Sequence, residues 1–244
     1  MSAPLVRLER MRKEFGAVVA VEELTLELGA GEIVALVGDN GAGKSTVVNC
    51  LAGVHAPSSG RILLEGEPVS FSSPLDARRH GIEVVPQDLA LADAQPVYMN
   101  VFLGRERVRG PLRRLDHGAM AAATAALLDE LDVRIDSARA PVRNLSGGQR
   151  QAVAIARAML WAQRLVLMDE PTAALGVAET RRVEELILRL RARGRAILLV
   201  SHSLDQVLRL ADRICVLRRG RQVGVRARHE TRGEEIVAMI TGLR

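Results

Sequence analysis

Short runs of apolar residues punctuate this chain, and their lengths are those of strands rather than of buried helices. Ile33–Val37, Leu165–Met168 and Ala196–Val200 are uninterrupted apolar stretches, the pattern of strands covered on both faces. Leu5–Leu8, Leu24–Leu28, Arg61–Leu64, Ile82–Val85 and Ile214–Leu217 read as further strands, with turns at Phe15-Gly16, Gly29-Ala-Gly31, Pro57-Ser-Ser-Gly60, Glu65-Gly66 and Gly220. Helical patterns alternate with them: from Lys44 to about Gly53, a short helix opened by Pro74, an amphipathic helix over Val177–Arg193, and a last one over Gly233–Ile240. This alternation predicts an α/β fold with a mostly parallel sheet, entered through an N-terminal β-rich, antiparallel segment. Between Gln87 and about Leu160 the strand signals stop and alanine-rich helical stretches take over, most plainly Asp116–Leu131. The expectation is one domain over 1–244, with an α/β core from 1–86 and 161–244 and a helical lobe, 87–160, inserted into it.

Composition narrows the picture. At 244 residues the chain is long enough to build its own core, and its two cysteines, Cys50 and Cys215, match no metal or redox spacing. No apolar window approaches the length of a membrane span, and the first residues lack an apolar signal core, so a cytoplasmic protein is expected. The charge of +5 arises from 34 basic and 29 acidic residues, with aromatic residues almost absent, which leaves little from which to build base-stacking platforms and argues against a nucleic-acid partner. Arginines cluster at 105–114 and 218–228; both segments are expected as solvated loops, with an anionic partner or lipid headgroups as the other reading.

Lysine is nearly absent from this arginine-rich chain, occurring only at Lys13 and Lys44. Lys44 lies in Gly38-Asp39-Asn40-Gly41-Ala42-Gly43-Lys44-Ser45-Thr46, directly after the Ile33–Val37 strand and before a helix. A glycine-rich turn in that setting directs successive backbone N–H groups at a phosphate, and a compact ammonium fits between β- and γ-phosphates where a planar guanidinium fits poorly. Ser45 supplies a hydroxyl for Mg²⁺. The Leu165–Met168 strand runs into Asp169-Glu170, two carboxylates at the strand end where open α/β sheets bind ligands. Asp169 suits a metal's water shell and Glu170 an attacking water. Leu145-Ser146-Gly147-Gly148-Gln149 places an N-cap serine and two glycines ahead of a helix over Gln149–Leu160, a second helix end able to meet an anion.

The order phosphate loop, Gln87, Leu145–Gln149, Asp169-Glu170 and then His202 after the Ala196–Val200 strand resembles the ATP-binding cassette (ABC) ATPases along essentially the whole chain. The resemblance implies a phosphate-loop, RecA-like cassette that binds and hydrolyses ATP with Mg²⁺. It implies that Phe15 stacks on adenine, that Gln87 senses the metal and the γ-phosphate, that His202 hydrogen-bonds the γ-phosphate, and that Ser146–Gln149 meets the nucleotide held by a second cassette, in a homodimer by expectation. Ser73–Ile82, Gln87–Leu91, Asn100–Glu106 and Pro171–Thr180 look like the monosaccharide-importing branch of bacteria, whose partners are integral membrane permease subunits and, indirectly, a periplasmic or extracellular sugar-binding protein. Such a subunit sits peripherally on the cytoplasmic face of the inner membrane. Fructose, ribose and xylose are not distinguished, and a non-sugar solute remains open. Soluble relatives acting on ribosomes generally carry two cassettes, and those acting on DNA carry long coiled-coil insertions; neither feature occurs here.

Two positions depart from the wider pattern. Gly176 stands where many members have an aspartate, and Pro86 where an aromatic is common. The apolar residues Leu89, Leu91, Val97, Tyr98, Met99 and Phe102 are open to two readings: a patch receiving a helix from a membrane subunit, or internal packing of the lobe.

Overall fold

The computed structural model describes residues 4–242. Along the chain run β1 (Val6–Phe15), β2 (Val18–Leu28), β3 (Ile33–Val37), α1 (Lys44–Leu51), β4 (Ser59–Leu64), β5 (Glu67–Val69), α2 (Pro74–Arg79) and β6 (Ile82–Val85). Then follow α3 (Val97–Val101), β7 (Val108–Arg109), β8 (Arg114–Leu115), α4 (His117–Glu130), α5 (Gly147–Trp161), β9 (Leu165–Asp169) and α6 (Val177–Ala192). The chain closes with β10 (Ala196–Val200), α7 (Leu204–Leu210), β11 (Arg213–Arg218), β12 (Arg221–Ala227) and α8 (Gly233–Thr241). Among the described residues two compact units result: 4–84, 162–170 and 190–242 form the first, and 85–161 with 171–189 the second.

The first unit is built on a mixed sheet in the order β5-β4-β1-β2-β12-β11-β3-β10-β9-β6. β1 pairs antiparallel with β2 and β4, whereas β3, β9, β10 and β11 run parallel. Val34 and Leu36 pack into one core with α1 and the N-terminal strands, while Ala35 and Val37 pack into another with Val207 of α7 and Ile236 of α8. Burial on both faces is why β3 is apolar at every position. In the parallel register Val200 pairs with both Leu36 and Asp169, so β3, β10 and β9 end together and deliver the segments that follow them to one end of the sheet.

The structure extends or corrects several expectations. β1 and β2 are far longer than Leu5–Leu8 and Leu24–Leu28, because register shifts between Leu8 and Met11, and again before Lys13 and Glu14, break the alternation a regular strand displays. Residues 218–228 are no solvated loop. β12 occupies most of them as the antiparallel partner of β11, and its arginines are engaged: Arg221 with Glu22, and Arg226 with Glu235 at 2.6 Å. The other arginine cluster carries the β7–β8 hairpin.

In the second unit the apolar segment after β6 buries Val97, Tyr98 and Phe102, while Leu89, Leu91 and Met99 stay half-buried. Phe102 is fully buried edge-to-face against Trp161, with ring centroids 5.6 Å apart, and Tyr98 is buried against His117. Trp161 Nε1 donates to the Val101 carbonyl at 2.9 Å. Buried Asn100 fixes the preceding turn, accepting from the Ala92 N–H at 2.7 Å and donating to the carbonyls of Ala92, Gln95 and Pro96. These contacts leave Tyr98 and Phe102 no role as an exposed docking patch.

Candidate functional site

The loop from Gly38 to Gly43 is shaped by its glycines. Gly38 and Gly43 adopt φ of +152° and +104°, and a Cβ on either would strike backbone, the Leu217 carbonyl oxygen at 2.1 Å and the Ala20 carbonyl oxygen at 2.5 Å. Asp39, Asn40, Gly41 and Ser45 are exposed, Ala42 is buried, and Gly43 and Thr46 are half-buried. Within the loop the Ala42 N–H donates to the Asp39 carbonyl at 3.1 Å, and the first helical turn closes from Val47 N–H to Gly43 at 3.1 Å. Lys44 is only 7% exposed. Its ammonium donates to the carbonyls of Gly38 at 2.6 Å and Asp39 at 2.9 Å, which fixes it over the loop and leaves its third proton for an anion. Burial pulls the Lys44 pKa down, and the nearby charges of Glu170, Asp169 and Asp39 hold it up.

Those two carboxylates come from the end of β9. Asp169 is half-buried, and its pKa is raised, first by burial and then by Glu170, against the opposing pull of Lys44 and His202. Glu170 follows at φ +49°, in the left-handed region that few non-glycine residues occupy, with its N–H donating to the Val200 carbonyl at 2.9 Å. Its carboxylate lies 2.7 Å from His202 Nε2. His202 is set in turn by the loop after β10: the Ser203 N–H donates to Ser201 Oγ at 3.1 Å, Ser201 Oγ donates to Gln206 Oε1 at 2.8 Å, and Ser203 Oγ caps α7. The first unit thus brings Lys44, Asp169, Glu170 and His202 into one electrostatic cluster. Buried Ser201 and Gln206 position it and went unnoticed in the sequence; the spacing Ser203-Leu-Asp-Gln206, an N-cap followed three residues later by an amide, is the signal that marks them.

Phe15 stands at the end of β1, 44% exposed, with its ring edge-on to His55 at 5.1 Å and under the Lys13 ammonium at 5.0 Å. Two sequence-predicted groups belong to the second unit. Gln87 is exposed just after β6. Ser146 to Gln149 form a capping box, in which Gln149 N–H donates to Ser146 Oγ at 3.2 Å and Ser146 N–H to Gln149 Oε1 at 2.9 Å. Gln149 Nε2 donates to the Arg134 carbonyl at 2.9 Å, and a Cβ on Gly148 would come within 3.0 Å of the Glu179 side chain. The Glu179 carboxylate also accepts from the Gly176 N–H at 3.3 Å, so the start of α6 and the start of α5 meet at this one side chain. Among the described residues no group of three or more His, Cys, Asp or Glu side chains converges on a metal position.

A glycine loop that cradles phosphate, a buried lysine and a strand-end carboxylate pair define a phosphate-loop nucleotide triphosphatase. Residues 21–173 match the family model described as "ABC transporter". The xylose/arabinose import ATP-binding protein XylG of Sulfolobus acidocaldarius is 45% identical over 237 residues, covering 97% of this chain and 94% of that one. The fructose import ATP-binding protein FrcA of Rhizobium meliloti is 45% identical over 246 residues, covering 98% and 94%. Among solved structures, a nucleotide-free ATP-binding cassette from an ABC transporter superposes with a TM-score of 0.82 at 25% identity, covering 98% of this chain and 96% of that one. The cbiO1 protein of Clostridium perfringens, part of the cbiONQ ABC transporter complex, superposes with a TM-score of 0.81 at 26% identity, covering 100% and 96%. The chain belongs to the ABC transporter family, as its ATP-binding, ATP-hydrolysing cassette.

Proposed function

We propose that this cassette drives import of a monosaccharide, acting as one of a pair on partner membrane subunits at the cytoplasmic face of a membrane. The observation that carries the catalytic half is the end of the parallel sheet, where Lys44, Asp169 and the Glu170–His202 pair meet. The solute class rests on sugar-import relatives matched over nearly their full length.

Glu170 is the base. Its backbone hydrogen bond and its contact with His202 fix the carboxylate, so that it orients a water toward the γ-phosphate and takes up its proton. Lys44 and the loop N–H groups from Gly38 to Thr46 receive the charge that develops on the phosphates, and His202 has a ring edge left for a γ-phosphate oxygen. Mg²⁺ fits the donors present: the exposed Ser45 hydroxyl and the Asp169 carboxylate are hard oxygen ligands, too few for a closed protein cage and suited to an ion shared with substrate phosphates. When bound, that ion neutralises phosphate charge. Phe15 offers an exposed ring for adenine, and Ser146, Gly147, Gly148 and Gln149 offer a capped helix end to the nucleotide of a second copy of this chain.

The deciding experiment is copurification of the tagged chain from its native membrane in Mg²⁺-ATP, using Glu170→Gln to hold nucleotide. That substitution is expected to lower turnover by about two to four orders of magnitude while leaving ATP binding intact. Recovery of a polytopic membrane subunit with a sugar-binding protein as its partner supports the reading. Recovery of ribosomes or DNA overturns the transport role, and recovery of a permease for another solute overturns the cargo alone.

A further inference from the structure

The arginine-rich segment between α3 and α4 takes no part in nucleotide chemistry, yet it has a defined shape. Its hairpin pairs Val108 with Leu115 and Arg109 with Arg114 across the two strands, so apolar side chains share one face and guanidinium groups the other. The turn Gly110-Pro111-Leu112-Arg113 is closed by Arg113 N–H donating to the Gly110 carbonyl at 3.1 Å. The base is anchored: Asp116 N–H donates to the Arg107 carbonyl at 2.8 Å, and the Asp116 carboxylate caps α4 at 3.0 Å.

What this anchored ribbon presents is unusual on both faces. Leu112 at the tip is 74% exposed, and Val108 and Leu115 are exposed beside it. Arg105 and Arg107 are occupied over the rings of Trp161 and Phe102, at 4.8 and 5.2 Å. The guanidinium groups of Arg109, Arg113 and Arg114 are exposed and make no hydrogen bond, ion pair or ring contact with any described residue. Like charges directly opposite one another weaken a ladder, and a two-stranded ribbon is marginal in water to begin with. The residues that strain the hairpin in solution are those an anionic surface would relieve.

We propose that this hairpin docks on an anionic lipid surface, with Leu112 entering the headgroup layer and Arg109, Arg113 and Arg114 on phosphate oxygens. Guanidinium forks match phosphate oxygens, and an apolar tip ringed by arginine is the composition of interfacial segments. The stretch 105–115 holds five arginines against the single carboxylate of Glu106, so its charge is complementary to such a surface. It contains no aromatic residue on which a nucleic-acid base would stack. The proposal does not depend on which solute is moved or on hydrolysis.

The test is cosedimentation of the full chain with vesicles of phosphatidylcholine alone or mixed with phosphatidylglycerol. Binding is expected only with the anionic vesicles, weakening as salt rises, and the combined Arg109→Gln, Arg113→Gln, Arg114→Gln variant should lose on the order of 100-fold in affinity. The corresponding triple lysine variant should retain most of the binding, and Leu112→Ser should lose the part that survives high salt. Unchanged ATP turnover in solution shows that the variants are folded and keeps this test separate from the proposed function. Equal binding of the glutamine variant and the parent, or no preference for anionic vesicles, overturns the proposal. So does a glutamine variant that binds vesicles normally but fails to copurify with a membrane subunit, which would assign the hairpin to an acidic protein surface.

Discussion

Gly38 illustrates how tightly single positions are determined. A methyl group there meets the carbonyl of Leu217, a backbone atom with no rotamer to adopt, whereas at Gly41 nothing lies within 4 Å and only the φ of +77° opposes substitution. Gly38→Ala should therefore cost about 3 kcal/mol and abolish nucleotide binding, and Gly41→Ala only about 1 kcal/mol, as measured by denaturant titration and nucleotide affinity. The cysteines are determined by burial. It pushes the Cys50 thiol up to about 11 and the Cys215 thiol to about 12, so both stay protonated in the fold and should resist alkylation at neutral pH until the chain unfolds. A thiol raised in the folded state keeps a proton that the unfolded chain gives up, so stability falls as pH climbs from the ordinary thiol value toward 11 and 12. Cys215→Ala should flatten that alkaline decline in thermal unfolding; native thiols labelled as fast as those of the unfolded chain would contradict the burial. The glycines, Lys44 and the carboxylate pair were legible because phosphate chemistry restricts residue type. The direct contact between Glu170 and His202, and the left-handed backbone of Glu170, were not, since both depend on strands far apart in sequence ending together.

Elements were legible where burial is uniform. β3, β10 and β9 as far as Met168 are apolar and buried at every position, Asp169 alone departing at the end of β9, and α6 shows its periodicity because one face is wet. β12 was missed because, though it lies between β2 and β11, it is a strand of half-buried and exposed positions whose arginines pair with glutamates elsewhere in sequence. α7 is too short, at seven residues, for its period to stand out, and only its Ser203 cap announces it. At the start of α5 the capping box satisfies two backbone donors with one serine and one glutamine. Ser146→Ala should cost about 1 kcal/mol in the helical unit, read by hydrogen exchange at the first turn of α5. Exchange rates identical to the parent's would mean that Gln149 and its bond to Arg134 hold the turn without it.

At the scale of the molecule, the sequence order of motifs pointed to one cassette, and contact density divides the described chain into an α/β unit and a helical one that also takes in residues 171–189. That assignment of 171–189 was not legible, because α6 carries the same amphipathic pattern whichever unit its apolar face packs into. Nucleotide binding to the α/β unit should stabilise it by about 2.7 kcal/mol at a hundredfold excess over Kd, a rise of roughly 5–10 °C in the unfolding midpoint. Lys44→Ala should eliminate that rise; a rise equal to the parent's would place the nucleotide elsewhere. The scarcity of lysine has a practical corollary. With ε-amines only at Lys13, beside Phe15 at the hairpin turn, and at Lys44, inside the phosphate cradle, acylating reagents read two side-chain positions: one half-exposed, the other guarded by its loop. Covalent mass tagging of a primary amine thereby becomes a direct gauge of nucleotide occupancy in this chain.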